Sequence, residues 1–398
     1  MDELREDLLN GRIDVPRVGE VLAVEGRFPP FVVVDAGGVE VAAAVQYLRD
    51  LALGDVSPLT CRSYGFDLLR WFRLLWVLGV DWDRATSSEV AVLVGWMRSA
   101  RNPQRMRRVG LAAAGMVNPR TGKRALVAGY APRTINHALT VVYRFYEFHA
   151  HHCAGPVQNP VPVSREQRAA LSHRSPLEQL PAVRRSRLRQ RVPEQLPRAM
   201  SDRLWEALFA AMGCDRDRAL LSMYVSSGAR ASELLGIGLA DVDWGRQLIH
   251  VVSKGTRLRQ AVPVSPESLR HLALYLAEAG VPGEGEPLWR TRRGEPRQLS
   301  YWAMRRTMQR ANERLGTDWT LHDLRHTAAT RLANDPGMTL TEVRAILRHA
   351  DINTTGIYTA VRVEDLFDKL QEHYIRPRPS RRLPAGYDPD DVKVVFGG

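Results

Sequence analysis

Leu321-His322-Asp323-Leu324-Arg325-His326-Thr327 is followed by Leu347-Arg348-His349-Ala350-Asp351 and then by Thr354-Thr355-Gly356-Ile357-Tyr358. In the first run His322 and Arg325 stand at i and i+3 and share one helix face. Taken singly, that is a surface pair, and a lone Tyr358 is more often a core or rim residue than a nucleophile. Two upstream clusters read the same way in isolation. Ser227-Gly228-Ala229-Arg230-Ala231-Ser232-Glu233 opens a helix with an arginine and a glutamate three residues on. Ser253-Lys254-Gly255 is a basic turn between strand-like runs at 247–252 and 259–264, which predicts a hairpin.

The set taken together has a chemical logic. Phosphoryl transfer needs charge stabilisation on the non-bridging oxygens, a nucleophile, and a proton donor for the leaving oxygen. Arg230 and Arg325 can fork onto a phosphate. His322 and His349 can donate hydrogen bonds or move protons. Tyr358 can form a covalent ester. The chain holds 52 arginines and four lysines, Lys123, Lys254, Lys369 and Lys393. A lysine in such a chain marks a place where arginine does not serve. An ammonium releases a proton to a departing alkoxide far more readily than a guanidinium does.

This order resembles the tyrosine recombinase (phage integrase) family. The resemblance covers roughly residues 196–375 and is carried by Arg230, Lys254, His322-x-x-Arg325, His349 and Tyr358. It implies that Arg230 and Arg325 clamp the scissile phosphate, that Tyr358 attacks it, and that Lys254 protonates the 5′ oxygen. His322 would assist proton transfer at the tyrosine, His349 would hydrogen-bond the phosphate, and Glu233 would orient Arg230. Two departures stand out. The usual Thr-Gly-Leu/Met-Arg is here Ser227-Gly228-Ala229-Arg230, and the usual Leu-Gly-His is Leu347-Arg348-His349.

Upstream the periodicity is helical. Ala42, Val45, Leu48 and Leu51 recur on one face. Ser57 and Pro58 open a second helix, expected to reach Leu78. Thr86-Ser87-Ser88-Glu89 has the form of a capping box, and another helix is expected over 132–149. Residues 101–130 read as a long loop or hairpin. Residues 154–199 hold seven prolines and the run 184–191, where Arg184, Arg185, Arg187, Arg189 and Arg191 place five arginines in eight residues. That run reads as a charged spacer that tracks a phosphate backbone. The expected layout is an acidic, loosely ordered lead-in at 1–38 with a short strand at Phe31–Val34, and a helical domain at 39–153. A basic linker at 154–199, a catalytic domain at 200–376 and a tail at 377–398 follow. In fold class the chain is mainly α: a helical, SAM-like core-binding domain precedes a mixed, mainly helical catalytic domain with a small antiparallel sheet.

The net charge of +12 over 398 residues favours a polyanionic partner. Residues 1–60 carry eleven acids and five arginines, so the basic excess lies entirely beyond them. No apolar run approaches a spanning helix, so no membrane partner is expected. The N-terminus is acidic where a signal peptide would be basic. Cys61, Cys153 and Cys214 have no metal-ligand spacing, which points to a reduced, cytoplasmic setting. The resemblance further implies double-stranded DNA as substrate, a homotetramer on two sites and no cofactor or metal. An accessory or directionality protein stays open. So do three other functions: a Xer-like dimer resolvase, a type IB topoisomerase and a non-catalytic DNA-binding protein. An apolar face at Val363, Leu366, Phe367 and Leu370 is a candidate for docking onto a neighbouring protomer.

Overall fold

The computed structural model describes residues 3–100, 115–124, 129–162, 186–193, 197–253 and 257–348. The chain divides into two compact units, 1–194 and 195–398.

The first unit is helical with one hairpin. α1 (Glu3–Leu9) precedes β1 (Glu20–Ala23) and β2 (Phe31–Val34), which pair antiparallel with Val21 opposite Val33. α2 (Ala42–Leu53), α3 (Pro58–Leu78), α4 (Ser87–Ser99) and α5 (Pro132–His151) follow. The local start signals act as read. The Ser57 side chain accepts from the Thr60 amide, with Pro58 in the first turn. The Thr86 amide donates to Glu89 Oε2 at 2.8 Å, completing a capping box. α5 turns Ile135, Ala138, Leu139, Val142, Phe145 and Tyr146 inward at helical spacing. Its buried phenol is satisfied: Trp71 Nε1 donates to Tyr146 Oη at 3.1 Å, and that hydroxyl donates to the Trp82 carbonyl at 2.7 Å.

The lead-in is not loosely ordered. Leu8 is fully buried, and Val15 and Val33 lie with it in the same core as Leu68, Trp71 and Leu93. Polar contacts stitch it down. Arg5 pairs with Glu89 at 2.8 Å, Trp96 Nε1 donates to Asp14 Oδ1 at 2.8 Å, and Arg73 Nη2 donates to the Gly19 carbonyl at 2.7 Å. Leu8→Ala should therefore destabilise the first unit by about 3 kcal/mol, the usual cost of a core leucine truncation, measured as a shift in its denaturant midpoint. A change under about 0.5 kcal/mol, the range of surface substitutions, would return α1 to the status of an appendage.

The expected linker begins within this unit. Asn136 Nδ2 donates to the Gln190 carbonyl at 2.9 Å, and the Gln190 amide donates back to Asn136 Oδ1 at 2.7 Å. Arg189 Nη2 donates to Thr140 Oγ1 at 2.7 Å. Leu188 packs on the same core. Residues 186–193 are thus laid along α5 rather than suspended as a spacer. Arg187 and Arg191 are exposed, Arg189 is partly buried, and Arg184 and Arg185 lie outside the described residues. Of the expected loop at 101–130, residues 115–124 form a turn closed by a bridge between Val117 and Arg124.

In the second unit, α6 (Asp202–Ala210), α7 (Asp215–Ser227) and α8 (Ala231–Leu235) come first. A three-stranded antiparallel sheet in the order β3-β4-β5 follows, from β3 (Val242–Asp243), β4 (Leu248–Val252) and β5 (Arg259–Pro263). Ile249 faces Val262 and His250 faces Ala261 in its hairpin. α9 (Pro266–Ala279), α10 (Tyr301–Leu315), α11 (Leu321–Ala333) and α12 (Leu340–Leu347) complete it. α7 is buried on nearly every side and packs against α9 and α11. Trp289, fully buried, donates its Nε1 to the Leu234 carbonyl at 2.7 Å, anchoring α8 to the core.

Candidate active site

α7 ends at Gly228 in the left-handed region, φ 59° and ψ 15°. A Cβ there would lie 2.6 Å from Leu347 Cδ2, so backbone and packing both demand glycine. This reversal delivers Arg230 to the N-cap of α8. The Arg230 amide donates to Glu233 Oε2 and its Nη1 to Glu233 Oε1, each at 2.8 Å. Glu233 is 1% exposed at its side chain, while Arg230 keeps 36%. The carboxylate grips the arginine from the protein side and leaves part of it to solvent.

Arg325 is set by tertiary structure. It projects from α11 and is 5% exposed. Its Nη1 donates to the Gly228 carbonyl and its Nη2 to the Leu347 carbonyl, so one guanidinium ties the ends of α7 and α12 together. The start of α11 is fixed by a capping box in which the Thr320 amide donates to Asp323 Oδ2 at 2.8 Å. Arg198 braces that carboxylate at 2.6 Å, reaches Asp318 at 3.1 Å and lies over the Trp319 ring. His322 and His326, one turn apart, meet edge to face with ring centroids 4.3 Å apart.

The electrostatics follow from this packing. Burial alone would raise the Glu233 carboxyl. The Arg230 amide and guanidinium and the Arg348 charge outweigh it and hold the group below the usual carboxylate range. His322 is shifted down by desolvation, opposed by Asp323 and reinforced by the charges of Arg325 and Arg230. His326 is pushed down to about 4 by burial first, then by the His322 ring, with Asp323 opposing and Arg325 and Arg198 reinforcing. Both imidazoles are therefore neutral at pH 7. Two guanidiniums held from behind by a carboxylate and two carbonyls, with a neutral imidazole beside them, suit an oxyanion such as a phosphodiester.

These shifts have a stability consequence with a definite sign. The two histidines bind protons in the unfolded chain near pH 6.5 but resist them when folded. Their contribution is complete above about pH 6.5 and is lost as the pH falls toward the folded values. Glu233 adds a second loss, beginning near its unfolded pKa of about 4.3 and extending below it. The melting temperature of the second unit should fall between pH 7 and pH 5, and His326→Gln should flatten that dependence. An unchanged slope in His326→Gln would show that His326 is not held neutral by the fold.

Of the residues expected from sequence, Arg230, Glu233, His322 and Arg325 come together here. Lys254, His349, Tyr358 and the apolar face at Val363–Leu370 lie outside the described residues, as does the tail at 377–398. Three contributors were not anticipated. His326 is the neutral neighbour of His322, Arg198 braces the α11 cap, and Arg348 pairs with Glu233 at 2.7 Å. Arg198 had no sequence signal, whereas His326 lies inside the quoted run Leu321–Thr327 and Arg348 stands where the family pattern has glycine.

The phage integrase family model matches residues 196–365. Tyrosine recombinase XerD of Pseudomonas aeruginosa is 36% identical over 192 residues, covering 46% of this chain and 63% of that protein. Tyrosine recombinase XerC of Xylella fastidiosa is 37% identical over 172 residues, 43% of this chain and 55% of that protein. The match thus spans less than two thirds of either relative's length. Among solved structures, the Tn1549 transposon integrase in complex with circular intermediate DNA aligns with a TM-score of 0.52 at 17% identity, covering 82% of this chain and 98% of that one. A lambda integrase dimer bound to a COC′ core site aligns with a TM-score of 0.54 at 14% identity, covering 80% and 76%. At those identities the likeness is one of fold. Every described residue of the arginine–glutamate–histidine site falls inside the stretch 196–365, over which the chain is similar to the phage integrase family.

Proposed function

We propose that the protein is a site-specific DNA recombinase that breaks and rejoins strands through a 3′-phosphotyrosyl intermediate, serving integration or excision of a mobile element. The observation that carries this reading is the pair Arg230 and Arg325, both oriented by buried partners and both in the family-matched stretch. In the proposed reaction the Tyr358 oxygen attacks the scissile phosphorus. The P–O bond to the 5′ oxygen breaks, and Lys254 supplies the proton that makes it a hydroxyl. The arginines and His349 hold the non-bridging oxygens, and neutral His322 assists the proton leaving tyrosine. The ester conserves the phosphodiester energy, so a second 5′ hydroxyl reseals the strand without nucleotide.

The substrate in this reading is duplex DNA, taken by a homotetramer on two sites, in the cytoplasm. A dimer resolvase is the second reading, favoured by the likeness to proteins named XerC and XerD. The test is to select a bound duplex from a random pool, nick it beside the cleavage position, and incubate it with protein in EDTA. A protease-sensitive, SDS-stable adduct mapping to Tyr358 supports the proposal. Cleavage abolished by EDTA would point to a metal-dependent nuclease instead, and binding without any adduct to a non-catalytic DNA-binding protein. Relaxation of plasmids lacking the selected site would point to a topoisomerase.

A further inference from the structure

α12 ends at Arg348, whose backbone is left-handed at φ 55° and ψ 47°. For a residue with a Cβ this conformation is strained, which is why glycine is the usual occupant of such a slot. The side chain turns inward. Nη2 donates to Glu233 Oε2 at 2.7 Å and Nη1 to the Ile346 carbonyl at 3.2 Å. The pair is sealed, with side chains 7% and 1% exposed. Arg348 Nε is buried with no hydrogen-bond partner among the described residues. A guanidinium placed there at the expense of backbone strain and desolvation is held by the Glu233 carboxylate. That carboxylate already holds Arg230 through both of its oxygens.

We propose that Arg348 is a positioning residue for Arg230, acting through Glu233. The physical argument is one of charge. A buried carboxylate paired with Arg230 alone forms a neutral couple and draws the guanidinium back toward the protein. A second buried cation on the same carboxylate restores a net charge of +1 to the trio and shares the pull. Arg230 keeps its orientation and its attraction for an oxyanion. The Arg325 bond to the Leu347 carbonyl sits one residue away, so the end of α12 is tied to both arginines of the site. This inference rests on the reading of Arg230 as a phosphate ligand, but the Arg230–Glu233–Arg348 coupling is testable without it.

The test uses the full chain with Arg348→Gly, which suits the backbone, and Arg348→Lys, which keeps a charge. Each is made with and without Glu233→Gln. The first readout is the ¹⁵N guanidinium spectrum, with the Arg230 signal assigned from Arg230→Lys. The second is the single-turnover rate of adduct formation at saturating DNA. Arg348→Gly should shift or broaden the Arg230 signal and slow adduct formation about 10-fold, with thermal stability and DNA affinity largely retained. Arg348→Lys should recover part of both effects. In the Glu233→Gln background, where no carboxylate needs a counter-charge, Arg348→Gly should have little further effect. An Arg230 signal indifferent to Arg348→Gly overturns the proposal whatever the cleavage rate. A signal that responds in a protein that makes no adduct upholds the positioning role and removes the recombinase reading.

Discussion

Tyr358→Phe is expected to bind the selected duplex with wild-type affinity and to yield no covalent adduct. The substitution keeps the ring and deletes only the oxygen, so any loss is a loss of nucleophile rather than of packing. The guanidiniums of the set are not nucleophilic at neutral pH and cannot replace it. The adduct should fall at least about 10³-fold, below detection on a denaturing gel, which is the scale expected when a covalent route is removed. Adduct formation by Tyr358→Phe would take Tyr358 out of the reaction. Loss of DNA binding would mean that its hydroxyl serves the fold.

Lys254→Arg is expected to fail differently. It keeps the positive charge at this position of the chain but offers a much poorer proton donor. DNA binding should persist while cleavage slows about 10²–10⁴-fold, the usual contribution of a general acid. Replacing the scissile 5′ bridging oxygen by sulfur should restore the rate, because a thiolate leaves without a proton. The same substrate should do nothing for Tyr358→Phe. If sulfur does not rescue Lys254→Arg, Lys254 serves the phosphate charge or the hairpin instead of the leaving group.

Elements whose signals are local are legible in the chain before it folds. Ser57 with Pro58, and Thr86 with Glu89, satisfy helix-end amides within four residues, so those helices can be read before any fold is known. The β4–β5 hairpin, read from two strand-like runs around a polar turn, is likewise a local signal that needs no distant partner. Of the expected site, Arg230, Glu233, His322 and Arg325 were legible as residue types in chain order, and these four lie in one cluster of the second unit.

The tertiary structure alone decided where each side chain's partners lie. α1 has seven residues and an acidic sequence, and its one fully buried residue, Leu8, finds its core only when α4 packs over it. Arg189 looks like one more charge in a basic run until Thr140, 49 positions earlier, accepts its hydrogen bond. Arg325 is oriented by a carbonyl 97 residues away, and Glu233 is shared with an arginine 115 residues away. Desolvation and ion pairing depend on the separation of groups in space, and chain order carries no measure of that separation until the helices have closed around them.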